Sequence, residues 1–352
     1  MTLENKIKAF ATLGEFLSQF GEQPPVFKDD IPHNNQFFDR LKSEISLSQS
    51  RNGWFTPEQV RFALASWAQA LTERNLKKWL DPYTITDKPA KTVGLVLAGN
   101  IPLVGFHDFL SVLVTGNRAL VKLSSTDQKL LPLLAGYLIA VAPDFAPMIK
   151  FTEEKLEGFD AVIATGSNNT SRYFEYYFRD VPSIIRKNRN SVAVLTGDET
   201  REELVALGED IFRYFGLGCR NVSKLFVPKG YDFAGFFEAM YNYRDIVEYE
   251  KYANNYDYNK AVFLMSRFEI LDNGFMTLKE DPAYASPISS VFYQYYDDLE
   301  QLKDRLAKDS DAIQCVVSNT GLSGSLNFGQ AQNPQLWDYA DGVDTIKFLT
   351  AI

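Results

Sequence analysis

Apolar residues along the first ninety positions recur at the spacing of helix faces. From Leu3 to Phe20 they follow one another at intervals of three or four residues, which places them on one side of a helix. The segment Thr56–Gln59 is a second start signal, because it combines a capping threonine, a proline at the first helical position and the glutamine of a capping box. Asp81-Pro82 is expected to end that helix. The pattern therefore predicts a helical N-terminal segment.

After Lys91, short continuous apolar runs alternate with longer helical patterns. The predicted strands are Val93–Ala98, Ala119–Lys122, Ala161–Ala164, Val192–Leu195 and Leu225–Val227. The predicted helices are Pro102–Val114, Asp127–Val141, Thr170–Phe178 and Arg201–Phe215. The strands are apolar throughout rather than alternating, as expected where both faces of a sheet are covered. The chain therefore reads as an α/β protein with a mostly parallel sheet, and Thr196-Gly197-Asp198 is the expected domain boundary.

The composition and net charge argue against several classes of protein. The 352 residues suit about two domains, and 45 acidic against 36 basic residues give a net charge of −9. This charge disfavours partners that present phosphates, such as nucleic acid or anionic lipid. Two cysteines and two histidines cannot build a disulfide framework or a zinc finger, so no metal site is expected. The longest apolar stretches, of about 14 residues, are shorter than the ~18 a membrane span needs, so a cytoplasmic protein is expected.

Phe215–Asn221 is the most unusual short segment, because in it a cysteine follows two glycines just before a predicted strand. Glycines let the backbone pass close to a ligand, and the charge of Arg220 would favour a thiolate at Cys219. Cys219 is thus a candidate nucleophile, with a small buried residue beside a turn as the alternative. Cys315 lies in an apolar strand pattern and is interpreted as a core residue.

Polar residues also follow three of the predicted strands. Asn100 comes after the first, where its amide could donate to an oxyanion or merely cap the next helix. Lys122 ends the second strand and could reach a ribose or phosphate, unless it is an ordinary surface lysine. Thr165-Gly166-Ser167 follows the third, where backbone N–H groups can hold a pyrophosphate or simply form a turn.

The order of these motifs carries more information than any one of them. The segments AGNIPLVG (98–105), TGNRALVKLSS (115–125), IATGS (163–167), GLGCRNVSKLFVP (216–228) and GVDTIKFL (342–349) resemble the aldehyde-dehydrogenase superfamily. Within it the chain resembles the long-chain acyl-CoA reductase family, typified by the fatty-acid reductase of bacterial bioluminescence. The resemblance covers about three quarters of the chain, from Lys91 onward.

The resemblance implies an aldehyde-dehydrogenase-like fold with a Rossmann-like cofactor domain and an α/β catalytic domain. Residues 1–196 would hold the helical segment and the NAD(P) site, 197–325 the catalytic cysteine, and 326–352 a tail. In that tail, Thr345–Leu349 would be a strand that pairs at a dimer interface, in a homodimer or larger homo-oligomer.

For the chemistry, the resemblance implies NADPH-dependent reduction of a long-chain fatty acyl-CoA, or an acyl carrier substrate, to a fatty aldehyde. Cys219 would be acylated, and the Asn100 amide would hold the oxyanion. Lys122, Ser125 and Thr165-Gly166-Ser167 would bind the cofactor. Two other functions remain open: an aldehyde dehydrogenase acting on shorter aldehydes, and a non-catalytic member that binds acyl-CoA or a partner enzyme.

Two departures from the superfamily pattern refine this expectation. Arg186 stands where hydrolytic members carry the glutamate that activates water, and a cation cannot be a general base. Exchange with coenzyme A is therefore expected rather than hydrolysis. Ser125 stands where NAD-preferring members carry a glutamate that binds the ribose hydroxyls. A carboxylate would repel a 2′-phosphate, whereas a hydroxyl can donate to it, so NADPH is expected to be favoured, with NADH possible.

Overall fold

The structure, a computed structural model, describes residues 1–21, 23–86 and 88–352, which form two compact units. The first unit comprises Met1–Lys187 and Gln335–Ile352, and the second is Asn188–Pro334. The units divide at Lys187 rather than near Thr196 because the strand that follows Lys187 pairs within the sheet of the second unit. None of the helices in these described ranges is both long enough and apolar enough to span a membrane.

Four helices begin the first unit, and they confirm the helical N-terminal segment. They are α1 (Leu3–Leu17), α2 (Asn34–Arg51), α3 (Pro57–Ala70) and α4 (Glu73–Leu80). The Thr56 side chain caps α3 by accepting a hydrogen bond from the Gln59 N–H. The helix expected to run on to Asp81 is instead two helices, since Thr72 caps a new one by accepting from the Asn75 N–H. Their apolar faces join one buried core with the helices that follow.

A five-stranded parallel sheet forms the centre of the first unit. Its strands are β1 (Thr92–Val96), β2 (Arg118–Lys122), β3 (Ile149–Phe151), β4 (Ala161–Thr165) and β5 (Ser183–Arg186), with α5 (Phe106–Val114), α6 (Leu130–Val141) and α7 (Asn168–Tyr177) between them. The spatial order is β3-β2-β1-β4-β5. The chain therefore moves outward from β1 to β3 and then returns to β4 on the other side of β1. In open parallel sheets, ligands bind outside the carboxyl ends of the strands at such a reversal.

The second unit is built on a six-stranded sheet in the order β11-β6-β7-β10-β9-β8. Its elements are β6 (Asn190–Val194), α8 (Arg201–Phe212), β7 (Val222–Pro228), α9 (Ala234–Met240), α10 (Glu250–Met265), β8 (Ile270–Asp272), β9 (Thr277–Glu280), β10 (Ser290–Tyr296), α11 (Leu299–Lys308) and β11 (Ile313–Val317). Neighbouring strands are parallel except for β8, which pairs antiparallel with β9. The predicted parallel α/β architecture is thus found in both units.

The end of the chain corrects one expectation. Thr345–Ala351 is a helix, α12, and not the strand that the resemblance implied. Asp344 caps it by accepting a hydrogen bond from the Lys347 N–H, and Ile346 and Leu349 bury their side chains in the core of the first unit. A capping aspartate before the segment and apolar residues three apart within it both favour a helix, because the first N–H groups find an acceptor and the apolar side chains share one face.

A buried ion pair connects this tail to the sheet. Arg186, at the end of β5, is 5% exposed and binds the Asp108 carboxylate through two hydrogen bonds of 2.6 and 3.2 Å. The same guanidinium donates to the Ala340 carbonyl oxygen and to the Thr345 hydroxyl. Arg186 thus acts as a structural cation that joins β5, α5 and the tail.

Removing one partner of this pair should be costly, because it leaves an uncompensated buried charge. We expect Asp108→Asn to lower the free energy of unfolding by about 3–5 kcal/mol. The matched control is Glu175→Gln, which breaks the exposed pair between Glu175 and Lys187, the residue next to Arg186. That change should cost less than about 1 kcal/mol in urea titrations. Similar small effects for both variants would contradict the structural role of the buried pair.

Candidate active site

The carboxyl ends of three adjacent strands bring the expected cofactor residues to one edge of the first sheet. Val96 of β1 pairs in register with Lys122 of β2 on one side and with Ala164 of β4 on the other. Asn100 follows β1, and Thr165 ends β4. These residues therefore lie at the point of strand reversal where an open sheet binds its ligand.

The loop that carries Asn100 is fixed on both sides of that residue. The carbonyl oxygen of Gly99 accepts hydrogen bonds from the Thr126 hydroxyl at 2.9 Å and from the Asn52 amide at 3.3 Å. A Cβ atom at position 99 would lie 2.5 Å from the Thr126 hydroxyl oxygen, so this approach requires glycine. Asn100 itself is exposed. The backbone is held while the candidate oxyanion donor faces outward.

Asp127 holds the other end of this loop and explains a misplaced helix start. Its carboxylate accepts from the Leu103 N–H at 3.3 Å, and Leu103 adopts a left-handed conformation with φ of 58°. Burial raises the pKa of Asp127 to about 6. The helix predicted from Pro102 consequently begins only at Phe106, with Gly105 at its N-cap. Asn100 is not a helix cap, which removes the alternative role considered for it.

The Thr165-Gly166-Ser167 turn opens α7. Ser167 caps the helix by accepting from the Thr170 N–H at 3.2 Å, and the Gly166 N–H donates to the Arg186 carbonyl oxygen at 3.2 Å. The first turn of α7 carries no acidic residue. N–H groups at a helix start lack intrahelical acceptors, so this turn has the donors that suit a pyrophosphate.

The segment after β2 contains two hydroxyls that bond to each other and, between them, a third that is exposed. The hydroxyl oxygens of Ser124 and Thr126 are 2.8 Å apart and stabilise the turn, whereas Ser125 is exposed. The following helix was predicted from Asp127 but starts at Leu130, with Lys129 at its N-cap. Ser125 therefore does not cap that helix; it follows Lys122 by three residues in the segment that leaves β2.

In the second unit, a buried asparagine shapes the turn that carries Cys219. Asn221 is 3% exposed, and its side-chain oxygen accepts from the Gly218 N–H at 2.8 Å. Its amide donates to three carbonyl oxygens at the end of α8, those of Asp210, Ile211 and Arg213. The Asn221 side chain therefore connects the turn to the end of α8. Cys219, which lies in this turn, is exposed.

Strained backbone precedes the cysteine. Tyr214, Phe215 and Gly216 adopt left-handed conformations in succession, with φ of 52°, 58° and 77°. The first two pay a steric cost for this conformation, and such strain is concentrated at functional sites. The Phe215 ring stacks on that of Tyr249 with centroids 4.5 Å apart, which offsets part of the cost.

Ser191 links the two cysteines, and nothing in the sequence indicated it. Its hydroxyl donates to the Cys219 carbonyl oxygen at 3.0 Å and lies 3.0 Å from the sulfur of Cys315. Cys315 lies on β11, as expected, but it is half-buried rather than the buried core residue that the sequence predicted.

Asp210 is a second residue that the sequence did not reveal. Its side chain is fully buried, and its carboxylate accepts from the N–H groups of Gly329 and Ala331 at 2.6 and 2.9 Å. The Arg220 guanidinium donates to the Ala331 carbonyl oxygen at 3.3 Å. Asp210 therefore fixes the segment that positions the cation next to Cys219. Its partners lie about 120 residues away in the chain, beyond the reach of local pattern.

Comparison with known proteins finds a family that part of the chain resembles. Residues 74–234 match the family described as acyl-CoA reductase (LuxC). The chain is similar to this LuxC acyl-CoA reductase family over that segment, which is a little under half of its length. The matched segment contains Asn100, Lys122, Ser125, Thr165-Gly166-Ser167 and Cys219. The expectation of an oxidoreductase is confirmed at the level of this LuxC family. No curated protein sequence matches the chain significantly.

Solved structures confirm the expected aldehyde-dehydrogenase-like fold. Aldehyde dehydrogenase 21 from Physcomitrella patens is 10% identical, with a TM-score of 0.65 over 99% of this chain and 87% of its own. A putative aldehyde dehydrogenase from Anabaena variabilis is 13% identical, with a TM-score of 0.62 over 99% and 90%. The indole-3-acetaldehyde dehydrogenase of P. syringae, solved with NAD⁺, is 13% identical, with a TM-score of 0.58 over 91% and 73%. At these identities the likeness shows an aldehyde-dehydrogenase-like fold.

The buried Asp210 carboxyl should make the free energy of unfolding of the second unit depend on pH. Burial raises the pKa of Asp210 to about 7, against an ordinary value of about 4, so protonation favours the folded state. Stability from this group is full below about pH 4 and is lost as pH rises toward 7, at up to about 1.4 kcal/mol per pH unit. Asp210→Asn cannot titrate and should show a flatter profile, differing by about 2 kcal/mol over pH 5–7. Urea titrations at several pH values measure this, and parallel profiles would mean that the two amides keep Asp210 ionised.

Proposed function

We propose that this protein reduces a fatty acyl-CoA thioester to a fatty aldehyde through an acyl intermediate on Cys219. The observation that carries the proposal is the family match over 74–234, because every candidate catalytic and cofactor residue lies inside it. Family and fold together agree with acyl-CoA reductase or aldehyde dehydrogenase activity. The long acyl chain, the role in lipid metabolism and the choice of NADPH are the finer parts of the proposal.

The first half-reaction is acyl transfer. The Cys219 thiolate attacks the thioester carbonyl carbon, and a new carbon–sulfur bond forms while the carbonyl oxygen takes the negative charge. The Asn100 amide and the Cys219 N–H donate to this oxyanion. The oxyanion then collapses, the bond to coenzyme A breaks, and coenzyme A leaves as a thiolate that takes up a proton from solvent.

The second half-reaction is reduction at the same carbon. A reduced nicotinamide, when bound, supplies the hydride. Asn100 again holds the oxyanion of the thiohemiacetal on Cys219, whose collapse expels the aldehyde and restores the thiolate. Arg186 supports the absence of a competing hydrolysis, because the residue at the position of the usual water-activating glutamate is a buried cation bound to Asp108.

The first unit has residues that suit a nicotinamide dinucleotide. The N-terminus of α7 has donors that suit a pyrophosphate, and Lys122 would supply a positive charge at the end of β2, on the other side of β1. Ser125 is exposed, and its hydroxyl would donate a hydrogen bond to a 2′-phosphate. We therefore propose NADPH as the preferred cofactor and a homodimer or larger homo-oligomer as the assembled form.

Cys219 should be the residue that becomes acylated. Incubation with palmitoyl-CoA without cofactor should give one acyl adduct, located at Cys219 by mass spectrometry, that persists because no base activates water. Cys219→Ala should abolish NADPH oxidation, whereas Cys315→Ala, which alters a strand residue, should retain most of it. Asn100→Ala should lower turnover by about 10²–10³ through loss of an oxyanion donor. Full activity in Cys219→Ala would refute the mechanism, and a preference for short free aldehydes would favour the aldehyde dehydrogenase alternative.

Ser125 should set the cofactor preference. We expect NADPH to be favoured over NADH by about tenfold in kcat/KM, because a hydroxyl can donate a hydrogen bond to the 2′-phosphate that a carboxylate would repel. Ser125→Glu should erase or reverse this ratio. Acylation of Cys219 by palmitoyl-CoA in the same variant serves as the control and should be unchanged. A wild-type preference for NADH would refute the argument.

A further inference from the structure

A small cavity in the second unit shares its wall with the loop that carries Cys219. Gly216, Gly218 and Asn221 of that loop line it, and so do Phe215 and Tyr252. The segment Ser286–Val291, which leads into β10, closes the opposite side. Cys219 does not itself line the cavity, but it follows the lining residue Gly218, so an acyl group on its sulfur has its first carbons tethered to this loop.

One polar group in this cavity has an unused hydrogen bond. The Tyr252 side chain is 1% exposed, and its hydroxyl has no hydrogen-bond partner in residues 1–21, 23–86 and 88–352. Burial raises the pKa of Tyr252 far above its ordinary value, which keeps the group a neutral donor. A buried polar group without a partner costs free energy, and a ligand that accepts its hydrogen bond recovers that cost.

The serine hydroxyls that line the cavity are already bonded within the protein. Their partners are the Tyr284 carbonyl oxygen for Ser223, the Ser290 carbonyl oxygen for Ser286, the Ile288 carbonyl oxygen for Ser289, and the Thr277 hydroxyl for Ser290. Tyr252 therefore differs from the other hydroxyls of the cavity wall in having its donor available.

The size of the cavity limits what it can hold. It measures about 50 Å³, about a third of the ~150 Å³ that accommodates a benzene ring in an engineered apolar cavity. It thus has room for roughly two or three heavy atoms. This volume suits a substituent near the thioester carbonyl rather than a whole fatty chain.

We propose that Tyr252 donates a hydrogen bond to an oxygen on C2 or C3 of the acyl group, so that the protein selects hydroxyacyl thioesters over unsubstituted ones. This inference rests on the proposed function and specifies its substrate class. A site built to hydrogen-bond a substrate oxygen discriminates against the analogue that lacks it, because the buried donor is then left unpaired.

The test compares matched thioesters of equal length. Wild-type kcat/KM is measured for butyryl-CoA against its 2-hydroxy and 3-hydroxy forms, and for palmitoyl-CoA against 3-hydroxypalmitoyl-CoA. We expect at least one hydroxyacyl substrate to be favoured by roughly tenfold or more. Tyr252→Phe should bring that ratio to about one without lowering the melting temperature, since the hydroxyl it removes has no partner among the described residues.

Tyr256→Phe is the matched control on the same helix. The Tyr256 hydroxyl donates to the Asp272 carboxylate at 2.6 Å, so its removal should lower the melting temperature and leave the substrate ratio unchanged. Equal wild-type kcat/KM for every pair would overturn the proposal, and so would a Tyr252→Phe variant that loses both substrates equally. In both cases thioesters would still acylate Cys219. If the proposed function itself were wrong, no thioester would acylate Cys219, so the two failures can be distinguished.

Discussion

Parallel pairing of β1 with strands on both of its sides is the constraint on which the first unit depends. Because Val96 is in register with Lys122 and with Ala164, the three segments that follow these strands must leave the sheet at the same edge. The chemistry-bearing residues are far apart in sequence, and only this register brings their loops together. Helices α1–α6 cover the sheet with apolar side chains, so polar groups concentrate at its edges.

Buried polar side chains then turn these loops from flexible connections into fixed ones. Asn52 and Asp127 hold the backbone around Asn100, and Asn221 holds the backbone around Cys219. Asp210 instead fixes the Gly329–Ala331 segment, to which Arg220 donates a hydrogen bond. In each unit a buried amide thus bonds to backbone groups next to the candidate catalytic residue. In both units the candidate catalytic side chain is exposed, and the loop that carries it is positioned by less exposed side chains. These side chains form their hydrogen bonds with backbone groups.

The sequence predicted the parts of this structure that depend on local pattern. Continuous apolar runs indicated the strands, a threonine cap indicated α3, and the ordered motifs indicated the superfamily. One expectation failed because a distant partner decided the outcome: Asp127 bonds to Leu103 and delays α5. Another failed because the resemblance was followed against the local pattern, since Asp344 and the apolar residues after it form the helix α12 where a strand was expected. Ser191 and Asp210 carry no local signature, since their roles come from partners on other strands and loops. Tyr252 carries none because what distinguishes it is the lack of a hydrogen-bond partner among the described residues.

The position of α12 has a consequence for synthesis of the chain. Thr345 meets Arg186 across 159 residues, and the whole second unit is encoded between them. The first unit therefore cannot complete its core until α12 has left the ribosome, although Met1–Lys187 is translated before the second unit. Closing so long a loop is entropically slow, and a domain interrupted in this way exposes apolar surface until the loop has closed. Loss of α12 would thus affect a unit most of which is translated before the second unit.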